Sequence, residues 1–357
     1  MLAAQSCELR LRDTSPRPYL GDRLDGRQRG CYPAAMGVVF GIADRLAAGL
    51  VWLGRRGTTA VAISILLGIA LPPVGVLIRP FFPETVFLLL CLAFLRVDPA
   101  ALRAQLARPR LLLAAAAWTM LVVPLLTGLL LQILGLADRS PPLLLALMFN
   151  AAAPPIFSSP ALAALMGLNA AITLAVLLTC VAVTPVLAPA MVAAFVGPAV
   201  TLSPAELGLR LVLMLAGAAC VAAVVRAAMG KPWVERQAER IDGLNVIVLL
   251  CFALALMGDV LAAMLAQPML VLGLLSLSTA VTFGLSGLTA LLFLRTGFDT
   301  AIPLAHAAGS RNTGLMLAAA AGLVPELVWL YVALIQIPIY ALPLIMRPVL
   351  RSLSTGR

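Results

Sequence analysis

Charge is what this sequence has least of. Only 11% of its 357 residues are charged, and no Asp, Glu, Lys or Arg occurs in the 66 residues from Ser140 to Ala205. A soluble domain is nearer a quarter charged. One bilayer crossing needs ~20 apolar residues, so that run holds two crossings, and water is excluded as the solvent of most of the chain. Histidine is nearly absent, with His306 alone. The six cysteines (Cys7, Cys31, Cys91, Cys180, Cys220, Cys251) make no CxxC or Cys/His spacing, which excludes a metal centre or a disulfide frame as the organising element. No Walker sequence is present, so ATP does not drive the protein through a P-loop. No cofactor is expected. The net charge of +10 does not indicate nucleic acid, because the basic residues sit in short loops between apolar runs. The partner they indicate is the lipid bilayer.

Apolar residues make up 62% of the chain, with a mean hydropathy of +1.06. Cut at charged and Pro/Gly punctuation, they give ten segments: 58–78, 84–95, 111–134, 141–167, 169–197, 205–225, 243–266, 268–294, 300–322 and 325–346. Charge placement tests the count. With the N-terminus inside, the inner segments hold fifteen basic residues: Arg45, Arg55, Arg56, Arg96, Arg103, Arg108, Arg110, Arg226, Lys231, Arg236, Arg240, Arg295, Arg347, Arg351 and Arg357. The outer segments hold three, Arg79, Arg139 and Arg210. A span missed or invented mid-chain would move every later loop across the membrane and erase this positive-inside bias.

The expectation is an all-α protein of a bacterial inner membrane, multi-pass, with both termini cytoplasmic. Ten spans divide into two sets of five, and an odd-numbered half inserts opposite to its twin, which predicts inverted repeats over 58–197 and 198–346. Residues 1–57 and 347–357 are then cytoplasmic tails. The first 35 residues carry six arginines, four acids and no signal-peptide core. Two readings of them stand open, a disordered tail or a true start at Met36.

Inverted-repeat transporters place their site at mid-membrane, where helices are broken and free backbone groups face a cavity. Two spans carry such interruptions, each the fourth of its half. Asn150-Ala-Ala-Ala-Pro154-Pro155-Ile-Phe-Ser158-Ser159-Pro160 sets three prolines and two hydroxyls inside an apolar run. An interior proline costs roughly 3 kcal/mol of helix stability. His306-Ala-Ala-Gly309-Ser310-Arg311-Asn312-Thr313-Gly314 puts two glycines and a charge at mid-depth. The expected substrate-binding residues are Asn150, Pro154, Ser158, Ser159, Gly309, Arg311, Asn312 and Thr313. An arginine at a span's centre costs ~2.5–3.5 kcal/mol on insertion scales, so Arg311 needs a reason to be there. Asp259, the other charge within a span, is its candidate counter-charge. Pro124, Pro185 and Pro189 read as simple kinks.

The run Gly309-Ser310-Arg311-Asn312-Thr313-Gly314-Leu315, with Ser158-Ser159-Pro160 and Gly167-Leu168-Asn169-Ala170-Ala171-Ile172-Thr173, resembles the bile acid:sodium symporter superfamily, of which this chain would be a divergent bacterial member. The resemblance implies ten spans in a core and a panel domain, with broken helices four and nine crossing at the substrate and sodium sites. It implies a small organic anion as substrate. Carried over by position, Ser159 and Thr173 match sodium ligands, and Asn312 matches an asparagine beside the second ion, a residual ion site. The departures are specific. Where the family reads Glu-x-Gly-x-Gln-Asn-x-Gly, this chain has Ala307 for the carboxylate and Arg311 for the glutamine, and Pro160 follows Ser159 in place of an asparagine. A hard cation wants several oxygens and a carboxylate, so sodium coupling by the family mechanism is not expected.

Two other readings have residues to their name. Gly284-Leu285-Ser286-Gly287 with His306 in the next span offers a Ser/His pair for an intramembrane serine protease, against close packing of small residues as the alternative. An arsenite-type metalloid permease shares the resembled fold but relies on a cysteine in its fourth span, and 141–167 contains none. The leading expectation is a secondary transporter and not an enzyme.

Overall fold

The computed structural model describes residues 45, 47–54, 57–97, 109–197, 203–320 and 322–355. The expected tail readings of the first 35 residues lie outside them. The described residues are about 89% helical with no strand. Six helical stretches are long and apolar enough to cross a membrane: Pro72–Leu95, Pro109–Ile133, Ala170–Val196, Pro204–Met229, Ala238–Ala266 and Pro268–Thr296. Large apolar side chains stand outward on them, with Ile133 and Met269 more than 80% exposed. Water would not tolerate that surface and lipid does. The protein is an all-α, multi-pass membrane protein.

The helices that position the site are α1 (Gly57–Ala70), α2 (Pro72–Ile78), α3 (Phe82–Leu95), α4 (Pro109–Ala117), α5 (Val123–Ile133), α6 (Pro141–Ala152), α7 (Ser159–Leu165), α8 (Ala170–Val196), α9 (Pro204–Met229), α10 (Ala238–Met257), α11 (Val260–Ala266), α12 (Pro268–Phe293), α13 (Phe298–Gly309), α14 (Thr313–Ala319) and α15 (Glu326–Thr355). The last runs on through part of the segment expected as a C-terminal tail. Two groups of helices form. In one, α1, α2 and α3 pack on α10, and α3 also packs on α9. In the other, α4, α5, α6, α7, α12, α13 and α15 gather around α8 and one another. The groups meet where α8 packs on α9, α3 on α14 and α15 on α10.

Small residues decide how closely α10 can be approached. A Cβ on Gly54 would lie 2.4 Å from Glu239 O, one on Gly68 2.7 Å from Ala253 O, and one on Gly75 2.6 Å from Leu254 O. The Gly54 and Gly68 contacts advance together along both chains, so α1 runs parallel to α10, backbone against backbone, and α2 touches it at Gly75. The chain leaves helical geometry at Leu71 (φ −120°, ψ 58°), and α2 then continues into α3 through the one-turn segment Arg79–Phe81. Phe82 stacks on Phe252 at 5.3 Å between ring centroids, and Arg96 pairs with Asp242 at 3.1 Å, so α3 runs antiparallel to α10.

The charged residues sort to two opposite ends of this packing. At one, Arg79 pairs with both Asp259 and Glu326, and its guanidinium lies 4.4 Å above the Trp329 ring. At the other, beside Arg96 and Asp242, Arg226 donates to Leu95 O at 2.6 Å and Val97 O at 2.7 Å. Arg79 thus lies at the opposite end of this packing from Arg96 and Arg226.

Candidate functional site

Two apolar helices are too short to cross a membrane. A 12-residue helix is about 18 Å long, short of the ~30 Å hydrocarbon core, and both α6 and α13 have 12 residues. The end of α6 follows from its sequence. Pro154 and Pro155 cannot donate to the carbonyls one turn back, and Ala153, preceding a proline, takes extended geometry (φ −67°, ψ 146°). Helix α7 restarts at Ser159 with Pro160 in its first turn, where a missing N–H does no harm. No proline stops α13. Its chain extends at Ser310 (φ −100°, ψ 91°), and α14 restarts behind Asn312, whose Oδ1 accepts from Leu315 N at 3.1 Å.

The two interruptions lie against each other. Asn312 N donates to Pro154 O at 2.7 Å, and Ile156 N donates to Ser310 O at 2.9 Å. This antiparallel bridge sets Pro155 opposite Arg311. Without water, backbone groups freed by a broken helix must find partners in protein, and each segment here supplies the other's.

Arg311 is completely buried in this crossing. Its Nε donates to Ala308 O at 2.6 Å, and its Nη1 donates to Ala153 O at 2.9 Å and Thr119 O at 3.0 Å. Each acceptor is free for a reason. Asn312, which would bond Ala308 O in a continuous helix, donates to Pro154. Ala153 lies past the end of α6. Thr119 lies in a five-residue π-helical turn, Trp118–Val122, between α4 and α5. The guanidinium therefore caps three interrupted chain segments, and two of its acceptors sit at helix C-terminal ends that carry partial negative charge. Its Nη2 is buried with no hydrogen-bond partner.

The expected pair of Arg311 with Asp259 does not form. Asp259 sits at the junction of α10 and α11, 54% exposed, paired with Arg79. Backbone carbonyls replace it as the counter-charge. The protease pair does not form either. Ser286 Oγ donates to Thr282 O at 2.8 Å, while His306 Nδ1 lies 3.4 Å from Ser310 Oγ.

Of the eight expected binding residues, Pro154, Arg311 and Asn312 are in the bridge. Ser158, Arg311 and Asn312 reach the wall of a cavity of about 570 Å³ between the two helix groups. Asn150, Ser159 and Thr313 are buried behind it, and the Asn150 Oδ1 and Ser159 Oγ atoms have no partner. Gly309 is a packing position, since a Cβ there would meet Ser286 Oγ at 1.9 Å and Thr282 O at 2.8 Å.

Other polar groups of the cavity went unread in the sequence. Gln336 Nε2 donates to Thr313 Oγ1 at 3.4 Å and to Val332 O at 3.1 Å, and Tyr340, one turn on, shares the wall with Asn245 and the Arg96–Asp242 pair. An isolated amide inside the last apolar span was the available signal for Gln336. Leu89, Leu90, Leu162, Leu249 and Phe252 make much of the remaining wall.

A sodium ion does not fit the residues in the expected ion site. Thr173 Oγ1 is turned to its own helix at Asn169 O, 3.4 Å away, and Asn312 Oδ1 caps α14. Ala307 brings no carboxylate, and the Ala153 and Ala308 carbonyls hold the guanidinium. Among the described residues no group of three His, Cys, Asp or Glu comes together. No family model matches the chain, and no curated protein is significantly similar to it in sequence.

Proposed function

We propose that the chain is a secondary transporter of small organic anions in which Arg311 is the fixed positive charge of the translocation site. One observation carries the reading: two interrupted helices cross through reciprocal backbone bonds around a buried guanidinium, against a cavity that reaches that crossing. An anion entering a low-dielectric site needs a cation nearby. For charges ~6 Å apart at an effective dielectric of ~20, the attraction is about 3 kcal/mol, or roughly a hundredfold in affinity. A cation made by the protein and held by carbonyl oxygens removes the need for a bound sodium ion.

The architecture proposed with it is ten spans in two inverted five-helix repeats. Helix starts recur along the chain in support: Phe82 and Ala238, Pro141 and Phe298, and Ala170 and Glu326 are separated by 156, 157 and 156 residues. The antiparallel sense of the bridge suits a two-fold axis through it. Packing repeats as well, since α3 lies on α9 as α10 lies on α1, and α8 on α13 as α15 on α6. The arginine asymmetry of the loops supports a bacterial inner membrane with both termini inside.

The test is uptake by proteoliposomes of a panel of radiolabelled organic acids. Accumulation of at least one acid, lost in Arg311→Gln, supports the reading. No uptake of any acid by correctly folded protein would overturn it.

A further inference from the structure

The acceptor for Arg311 in the third span, Thr119 O, lies five residues before a proline. In an α-helix Thr119 O would accept from Val123 N. Here Val123 N donates instead to Trp118 O, the i+5 pattern of a π-turn. In that register the next donor, for Thr119 O, would be the N–H of residue 124, and residue 124 is proline. Thr119 O is thus left without a donor from its own helix, and Arg311 Nη1 takes it at 3.0 Å. The turn is fastened from its other side by Trp118 Nε1, which donates to Thr289 Oγ1 of α12 at 2.9 Å. π-turns inside helices often mark functional sites.

We propose that Pro124 is a positioning residue for Arg311: by withholding an N–H it frees the Thr119 carbonyl, which with Ala153 O fixes the Nη1 edge of the guanidinium. The function of that edge rests on the transporter reading; the coupling of the two residues does not. Pro124 itself is buried and bonds nothing at the crossing. A proline serving only to kink the helix would act independently of residue 311. One that frees a carbonyl for Arg311 would not. With an N–H at position 124 the segment closes into an α-helix, Thr119 O is satisfied within it, and Nη1 keeps one acceptor in place of two.

Two measurements on the purified full chain in lipid nanodiscs test this, and neither needs a transported anion. In 15N-arginine-labelled protein, the Arg311 Nη resonances are identified by their loss in Arg311→Gln, or in Arg311→Lys if the first variant does not fold. The Nη1 resonance is expected to move in Pro124→Ala, and also in Pro124→Val, which restores an N–H with nearly the volume of proline. An unmoved resonance in a folded variant would overturn the proposal. In thermal unfolding, Pro124→Ala is expected to shift the midpoint upward by several degrees more in the Arg311→Gln background than in the wild type. That is because Thr119 O then has no other donor to lose. Equal shifts in the two backgrounds would also overturn it. Coupling without anion uptake would sink the transporter reading and leave this one standing, and uptake without coupling would do the reverse.

Discussion

Gly309→Ala applies the smallest possible perturbation to the crossing, and the geometry fixes its sign. Gly309 is the last residue of α13, immediately before the extended Ser310–Asn312 segment. The added methyl would sit 1.9 Å from Ser286 Oγ, 3.1 Å from Ser286 Cβ and 2.8 Å from Thr282 O on α12. The hydroxyl could rotate away at the loss of its bond to Thr282 O. The backbone oxygen cannot, so α13 must withdraw from α12 by roughly 0.5 Å to reach ordinary contact, an overpacking that costs about 1–3 kcal/mol. That withdrawal also pulls Ser310 O from Ile156 N and Asn312 N from Pro154 O. Uptake is therefore expected to fall by more than the loss of folded protein explains. Thermal unfolding and uptake per folded molecule measure the two effects separately. Ser286→Gly in the same chain should return part of the stability, because it clears the side-chain clash and leaves the clash with Thr282 O. Wild-type stability in Gly309→Ala would refute the claim that the helices touch here through glycine. Full rescue by Ser286→Gly would show that the backbone contact is unimportant.

Asp259→Asn should leave anion uptake unchanged and cost at most about 1 kcal/mol, since it removes a half-exposed carboxylate, one of two that pair with Arg79; an uptake loss like that of Arg311→Gln would restore the pair with Arg311. Gln336→Leu should cost about 1–3 kcal/mol, because it leaves the buried Thr313 Oγ1 without its donor, and should raise the half-saturating anion concentration several-fold; unchanged transport would remove Gln336 from the site. Arg311→Lys should keep the charge and lose most of the activity, because a single ammonium cannot reproduce a planar guanidinium spread over Ala308, Ala153 and Thr119 carbonyls; wild-type uptake in that variant would reduce Arg311 to a point charge.

Where the chain would break was legible in its sequence, because prolines and polar residues inside an apolar run have few other uses. The Ala153–Ser158 and Ser310–Asn312 segments lie inside the stretches 150–160 and 306–314 read from composition alone. That the breaks meet was not read from either stretch by itself, since backbone pairing leaves no side-chain signature. The counter-charge of Arg311 was misassigned for the same reason. A sequence search for the partner of a cation finds carboxylates, and the partners here are three carbonyls freed by helix geometry. Pro124 read as a kink because its effect falls on the carbonyl of Thr119, whose side chain takes no part. Gly309 read as a binding residue because the glycine pattern around Arg311 does not distinguish exposure to a substrate from contact with Ser286. The first two spans were the reverse case: Arg79 was read as lying in the connection between them, and it forms its ion pairs with Asp259 and Glu326 from that connection.

On the proposed reading a guanidinium stands where bound sodium would otherwise supply positive charge. Isothermal titration of the wild type and of Arg311→Gln with an organic acid accumulated in the uptake panel, each in sodium and in choline buffer, separates the two. Wild-type affinity should be the same in both buffers, and Arg311→Gln should show no binding in either, even at high sodium. A strict sodium requirement in the wild type, or binding by Arg311→Gln restored by sodium, would contradict it.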